Sequence, residues 1–235
     1  MDSTYAIMNA TPVTVMVIMA ASLVTPIFVF ATYVFSGASK RKGFRIGAAW
    51  LVFGSFMFWV CIADLPRRLG LAGNLIVPTM WVTPSLILFI WRDWFLDRWL
   101  CQKWLIGLQL FRAIGGVFLI EMTRGNIPGI FAYPAGVGDL AVAAVAALVL
   151  IKYWDAKRIP GCAVALVIVL GLADFLSAFL FGFGSSETPI QIFYPDVPND
   201  VIVFPTGLIP LFLVPYAIFF HVLSGLSYAR HERAV

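Results

Sequence analysis

Four ionisable side chains lie inside long apolar runs of the sequence: Arg112, Asp139, Asp174 and His221. An Arg or Asp at the centre of a bilayer costs about 2.5–3.5 kcal/mol, so such residues usually face the interior of a helix bundle and pair with one another. Groups of these types can bind a polar ligand, pass protons or perform acid–base chemistry. We therefore predict that these four residues form a ligand or proton pathway.

The depths of these residues follow from the 1.5 Å rise per residue of a helix. Arg112 and His221 are expected about 12 Å from the inner membrane face, and Asp139 and Asp174 about 20 Å from it. Two carboxylates in one layer repel each other if both are charged, which favours a protonated member. In a second interpretation, Arg112 only fixes packing by pairing with a carboxylate on a neighbouring helix.

The segment that precedes Asp139 is rich in helix-breaking residues, with prolines and glycines throughout Asn126–Gly138. Irregular backbone at membrane depth is tolerated only inside protein or beside a water-filled cavity. We therefore expect the segment to dip inward, its helix to start near Pro134, and free N–H groups around Gly136 and Gly138 to form an anion site. Alternatively, these two glycines only allow neighbouring helices to approach closely.

The sequence contains no pattern of a phosphate-binding loop, a zinc protease or a nucleophile elbow, so enzyme activity is neither predicted nor excluded. Its cysteines form no C-x-x-C pair, and no metal site is predicted. No lysine lies in the last apolar run, which argues against a retinal Schiff base. No cofactor is predicted, although a haem held by His221, or a carotenoid, remains a second interpretation.

The composition identifies the class of protein that must position these residues. Of 235 residues, 61% are hydrophobic and 12% are charged, and the mean hydropathy is +0.94. These values exclude a soluble enzyme, a disordered chain and a disulfide-stapled secreted domain, and they indicate an α-helical integral membrane protein. The basic residues flank apolar runs, so they indicate membrane orientation rather than nucleic-acid binding.

Seven apolar runs are long enough to be considered as membrane spans. They cover residues 13–36, 44–62, 75–91, 104–121, 129–152, 160–182 and 201–228. With the N-terminus outside and the C-terminus cytoplasmic, twelve of the sixteen Lys and Arg residues fall on the inner side. We predict a single domain, 1–235, that forms a bundle of seven transmembrane helices, with kinks at the internal prolines.

The predicted function is small-molecule binding or proton-linked transport through a polar core that opens outward. Arg112 would hold a carboxylate or an anionic ligand, and His221 would act as a gate or proton relay on the inner side. The acidic loop 184–200 and the start of the fifth run would form the mouth. Two alternatives stay open: a haem- or pigment-binding redox protein, and an accessory subunit of a larger membrane complex.

The predicted partners are the lipid bilayer and an unknown small molecule or proton, and no nucleic acid. A second copy of the chain, or a membrane complex, remains an open partner. The predicted location is a bacterial inner membrane or plasma membrane.

Overall fold

A computed structural model of the protein describes residues 8–96, 100–188 and 190–232. Within these ranges the chain is helical and contains no β-strand. The helices are α1 (Pro12–Phe35), α2 (Lys40–Ile62), α3 (Leu65–Arg68), α4 (Leu71–Asn74), α5 (Ile76–Ile90), α6 (Arg92–Phe95), α7 (Gln102–Gly107), α8 (Gly116–Thr123), α9 (Gly129–Lys152), α10 (Gly161–Ser185) and α11 (Val214–Glu232). A 3-10 segment, Leu110–Gly115, joins α7 to α8, and a π-helical turn, Ile209–Leu213, leads into α11.

Six helical segments in the described ranges are long and apolar enough to cross a membrane. They are α1, α2, α9, α10, the composite segment Gln102–Thr123 and the segment Ile209–Arg230. This content of apolar helices is that of an integral membrane protein, and six of the seven predicted runs contain a helical segment of spanning length. In the last run that segment begins at Ile209, eight residues after the predicted start at residue 201. The remaining run forms α5, whose 15 residues make a shorter apolar helix.

Helix α9 begins at Gly129, so the prediction that it starts near Pro134 is wrong. The backbone N–H groups of Phe131 and Ala132 both donate to the carbonyl of Pro128, which closes the first turn. Pro134 removes a single intrahelical donor, the one that would bond to Ile130, and one such loss does not break a helix that is packed on both sides.

The corrected start of α9 removes the predicted anion site at Gly136 and Gly138. Both glycines lie inside the helix, where their N–H groups are within the intrahelical ladder rather than free. A helix start that attracts anions is therefore absent at these two positions.

Contacts among loops and helix ends mark the two ends of the bundle. At the N-terminal end, Met8 N–H donates to the carbonyl of Phe204 at 2.9 Å. At the C-terminal end, Arg230 pairs with Asp93 at 3.0 Å, and Lys42 Nζ donates to the carbonyl of Trp94. The end that carries Lys42 and Arg230 is the one for which the charge distribution predicts the inner side.

A fully buried carboxylate, Glu121, ties α1 to α8 at the N-terminal end. Its Oε1 accepts the backbone N–H of Thr11 at 3.1 Å and the hydroxyl of Thr14, and its Oε2 accepts from Asn126 Nδ2 at 2.7 Å. Nothing in the sequence marked Glu121, because it lies at the boundary of an apolar run. Its donors show that it has a structural role at the start of α1.

Replacing this carboxylate tests that role. We expect Glu121→Ala to lower the free energy of unfolding by about 1–3 kcal/mol or more, because it leaves several donors without an acceptor. Denaturant unfolding of the detergent-solubilised protein measures the change. Asp155→Ala is the control, since Asp155 is exposed in the turn after α9. Equal stabilities of the two variants would contradict the assignment.

Candidate functional site

A cavity of about 550 Å³ opens at the N-terminal end of the bundle and reaches the carboxylates of Asp139 and Asp174. Each of these carboxylates lies about 15 Å along its helix from that end. Ligand sites in proteins commonly have volumes of roughly 300–1,000 Å³. Its mouth carries the polar side chains of Arg67, Ser186, Glu187, Thr188, Asn199 and Asp200. The two Asp residues therefore form the floor of an open cavity of ligand size.

Four-residue spacing on two neighbouring helices places the floor and the walls on common faces. On α9, Phe131 and Ala135 line the cavity above Asp139. On α10, Ala178 and Gly182 line it above Asp174. Residues four apart in a helix share a face, so each carboxylate lies at the bottom of a vertical row of small and aromatic side chains. Counting in steps of four residues from each Asp would have identified these wall residues from the sequence alone.

Aromatic rings form one wall of the cavity. Trp81 on α5 packs edge-to-face against Phe175 and Phe179 of α10, with ring centroids 6.1 Å and 5.5 Å apart. Phe179 in turn contacts Phe183, whose centroid is 4.5 Å away. Sequence reasoning missed this wall, because aromatic residues are also frequent on lipid-facing surfaces.

A backbone irregularity holds Trp81 in place. Its indole N–H donates to the carbonyl of Pro210 at 2.8 Å, within the π-helical turn Ile209–Leu213. In π-helical register that carbonyl would bond to residue 215, but Pro215 has no N–H to give. The missing N–H of Pro215 therefore leaves the Pro210 carbonyl available to accept from Trp81, in a segment for which the sequence predicted kinks.

Arg112 joins the two carboxylates behind the floor. Its Nε donates to Asp139 Oδ1 at 2.7 Å, its Nη2 donates to Asp174 Oδ2, and its Nη1 donates to the Gly171 carbonyl at 3.3 Å. Its side chain is 1% exposed, and Cζ lies 3.9 Å from the ring centroid of Phe175. The two predicted layers of ionisable groups are therefore one cluster, because the long Arg side chain spans the difference in depth.

The guanidinium donors of Arg112 point at protein acceptors, and Arg112 is not among the residues that line the large cavity. Arg112 therefore binds two carboxylates of the protein itself, those of Asp139 and Asp174. The predicted contact with an anionic ligand has no support from this geometry.

Three glycines give the cluster its space. A Cβ on Gly115 would collide with the side chain of Asp139, and one on Gly138 would collide with the carboxylate of Asp174. A Cβ on Gly171 would collide with His221 and would come within 2.9 Å of Arg112 Nη1. Close approach, the second interpretation of the glycine pair, therefore describes both residues. Gly138 lies against the carboxylate of Asp174, and a Cβ on Gly136 would come within 2.9 Å of Leu119 and 3.1 Å of the Gly115 carbonyl.

His221 on α11 is buried beneath this cluster. Its Nε2 has no hydrogen-bond partner among the residues that the structure describes. The imidazole faces the backbone of α10 at Gly171, and this contact leaves no space at Nε2 for a haem plane. In the described ranges, no three His, Cys, Asp or Glu side chains are grouped so as to hold a metal ion.

Neighbouring glycines allow a matched test of this packing. We expect Gly115→Ala to lower the free energy of unfolding by about 1–3 kcal/mol, because the new methyl displaces Asp139 from Arg112. Gly116→Ala is the control, since its Cβ would make only ordinary contacts, at 3.7 Å or more, with Leu140. Denaturant unfolding in detergent compares the two variants, and equal stabilities would contradict the crowded position of Gly115.

Residues 68–225 match the family described as a domain of unknown function, DUF8737. The matched range includes Arg112, Asp139, Asp174 and His221. No curated protein and no solved structure matches the chain. Because the match extends over more than half of the sequence, the chain belongs to the DUF8737 family.

Proposed function

We propose that the protein binds a small molecule from the outer side of the membrane and links its binding or transport to a proton. The observation that carries this proposal is the cavity that opens at one end of the bundle and ends at the paired carboxylates. Intramembrane ionisable groups commonly mark substrate or proton pathways. The membrane is a bacterial inner membrane or a plasma membrane in this proposal.

The proposed topology has seven crossings, with α5 as the third, the N-terminus outside and the C-terminus in the cytoplasm. The excess of Lys and Arg in the loops at the C-terminal end supports this orientation. The cavity mouth then faces outward, and the loop that carries Glu187 and Asp200 forms part of it. The proposal therefore keeps the predicted mouth at the acidic loop.

The floor supplies the proton-linked groups in this proposal. The side chains of Asp139 and Asp174 are 10% and 7% exposed and both line the cavity. They share one guanidinium, so a proton on one carboxylate would balance the charge of the cluster, and the pair would titrate as a unit. Proton exchange between this pair and the cavity would couple the charge of the floor to ligand occupancy.

A buried polar stripe supports the role of His221 as an inner gate or proton relay. His221, Ser224 and Ser227 follow one another at three-residue spacing on α11, and all are buried. The hydroxyl of Ser224 donates to Gln102 Oε1 at 2.6 Å, and Ser227 Oγ accepts the backbone N–H of Leu100 at 3.2 Å. The stripe runs from the cluster to the C-terminal end, where a proton would leave.

Gln109, three residues before Arg112 in the chain, is a further buried polar group. Its side chain is buried, and neither its amide nitrogen nor its amide oxygen has a hydrogen-bond partner in the described part of the chain. Buried amides are normally satisfied, so an unsatisfied one is unusual at a purely structural position. This supports a role of the inner half in passing protons or water.

Cysteine labelling tests the cavity and its direction. In a background without native cysteines, we expect Ala178→Cys to react with a membrane-impermeant thiol reagent added outside, because Ala178 lines the cavity. Leu176→Cys is the matched control: it lies two residues away on α10 and its side chain is exposed outside the cavity, facing lipid in the proposed topology. We expect it to react roughly tenfold more slowly, since thiolate formation needs a polar environment.

Labelling of Ala178→Cys only from the inner side would overturn the proposed orientation. Equal labelling of the two cysteines would overturn the aqueous cavity itself. Intact vesicles of known sidedness, with mass spectrometry of the labelled protein, distinguish these results.

Transport, as opposed to binding alone, requires the inner half to open as well. We expect Ser224→Cys to react slowly, and only with reagent on the inner side, because Ser224 is buried in the polar stripe. Absence of reaction from the inner side would argue against transport and would leave binding. Val169→Cys, a side chain exposed on the outer surface of α10, is the control for reaction through lipid.

A further inference from the structure

We infer that the ligand of this cavity is an organic cation, an amine or quaternary ammonium with an apolar body. This inference rests on the proposed binding function and names the chemical class of its ligand. Three features carry it: the charges that line the cavity, the free oxygens of its floor and the aromatic wall.

The charges of the cavity favour a positive ligand. The cavity is lined by four carboxylates and one guanidinium: Asp139, Asp174, Glu187, Asp200 and Arg67. Arg67 is already engaged, since its Nε bonds to Asp64 and its Nη1 to Asp200 Oδ1 at 3.1 Å. Charges act strongly between low-dielectric walls, and a cleft lined by one sign of charge concentrates ions of the opposite sign.

The floor retains acceptors that the protein does not use. Arg112 occupies Oδ1 of Asp139 and Oδ2 of Asp174. The other oxygen of each carboxylate receives no hydrogen bond from the residues that the structure describes, although both side chains are at least nine-tenths buried. Asp139 Oδ2 lies beside Gly115 and Asp174 Oδ1 lies beside Gly138, and neither is among the fully enclosed polar atoms of the described residues. An ammonium N–H or a cationic methyl group in the cavity would supply the partner that these two oxygens lack.

The aromatic wall suits the body of such a ligand. Trp81, Phe179 and Phe183 stand above the floor on the cavity side. Aromatic faces attract cations, most strongly where water is excluded. The protein already shows this contact once, because the Arg112 guanidinium lies over Phe175.

Other ligand classes fit less well. An anion would meet the carboxylates of the floor, and the guanidinium that could bind it is already bonded to Asp139, Asp174 and the Gly171 carbonyl. A neutral apolar ligand would desolvate the floor without supplying a donor or a charge. A cation supplies both the charge that complements the floor and the contact that suits the aromatic wall.

Two probe ions of nearly equal shape and opposite charge test the inference: tetraphenylphosphonium and tetraphenylborate. Equilibrium dialysis of the detergent-solubilised full chain measures the binding of each. Ala178→Trp, which fills the cavity without changing a charge, gives the background of binding to detergent. We expect cavity binding of the phosphonium to be at least about tenfold tighter than that of the borate, a difference of about 1.4 kcal/mol.

Variants assign the preference to named groups. We expect Asp139→Asn and Asp174→Asn each to weaken phosphonium binding about tenfold or more, because each removes a negative charge from a desolvated floor. Phe179→Leu keeps the wall apolar and leaves the Arg112 cluster intact, so it remains informative if the Asp variants fail to fold. It should weaken phosphonium binding about two- to fivefold. Asp155→Asn, at the opposite end of the molecule, should leave binding unchanged.

The possible outcomes separate the cation inference from the proposed binding function. Equal binding of both ions, blocked by Ala178→Trp, would overturn the cation inference and leave the proposed binding cavity in place. Preference for the borate, or no binding of the phosphonium above the blocked variant, would overturn it as well. Failure of the proposed function is recognised separately, by the lack of outside labelling at Ala178→Cys.

Discussion

The ion cluster of Arg112 with Asp139 and Asp174 is the interaction on which the arrangement of this molecule depends. It ties the 3-10 segment Leu110–Gly115 to α9 and α10 in the interior of the bundle. A buried charge is tolerable only when it is paired, and removal of one partner leaves the others uncompensated. Electrostatic attraction therefore fixes the positions of the three elements relative to one another. The glycines beside the cluster are required because a larger side chain there would collide with it.

The cluster leaves the pair of carboxylates with one side facing protein and the other facing the cavity. One oxygen of each carboxylate accepts from the guanidinium, and the other lies beside Gly115 or Gly138 without a hydrogen bond from the described residues. The proposed function uses this asymmetry, because an ion pair that only fixes packing would have all of its polar atoms enclosed. The aromatic wall and the π-helical turn Ile209–Leu213 keep the remaining space from collapsing, because the turn anchors Trp81 through a backbone acceptor.

The sequence allowed the class of protein and most of its helices to be predicted, because continuous apolar runs and loop charges follow directly from the properties of a bilayer. It also allowed Arg112, Asp139, Asp174 and His221 to be singled out, since a buried charge in an apolar run is conspicuous. The pairing of Arg112 with both carboxylates depends on helix contacts that no one-dimensional pattern contains.

The start of α9 was mispredicted for a physical reason. Glycine and proline weaken a helix in water, where the competing state is a hydrated coil. Inside a membrane the competing state has unpaired backbone groups, so the helix persists through Pro134 and its neighbouring glycines. Glu121 was missed because its partners come from the first turn of α1 and from Asn126, which meet it only in the folded chain.

The short length of α5 has a consequence for the surrounding lipid. Its 15 residues span about 22 Å, whereas the hydrocarbon core of a bilayer is about 30 Å thick. In the proposed topology, the bilayer beside the exposed residues Val82, Leu86 and Phe89 must become thinner, or the helix must shift along the membrane normal. Because α5 also carries Trp81, in that topology bilayer thickness would act directly on a wall of the cavity, and the lipid composition of the membrane would help to determine the shape of the site.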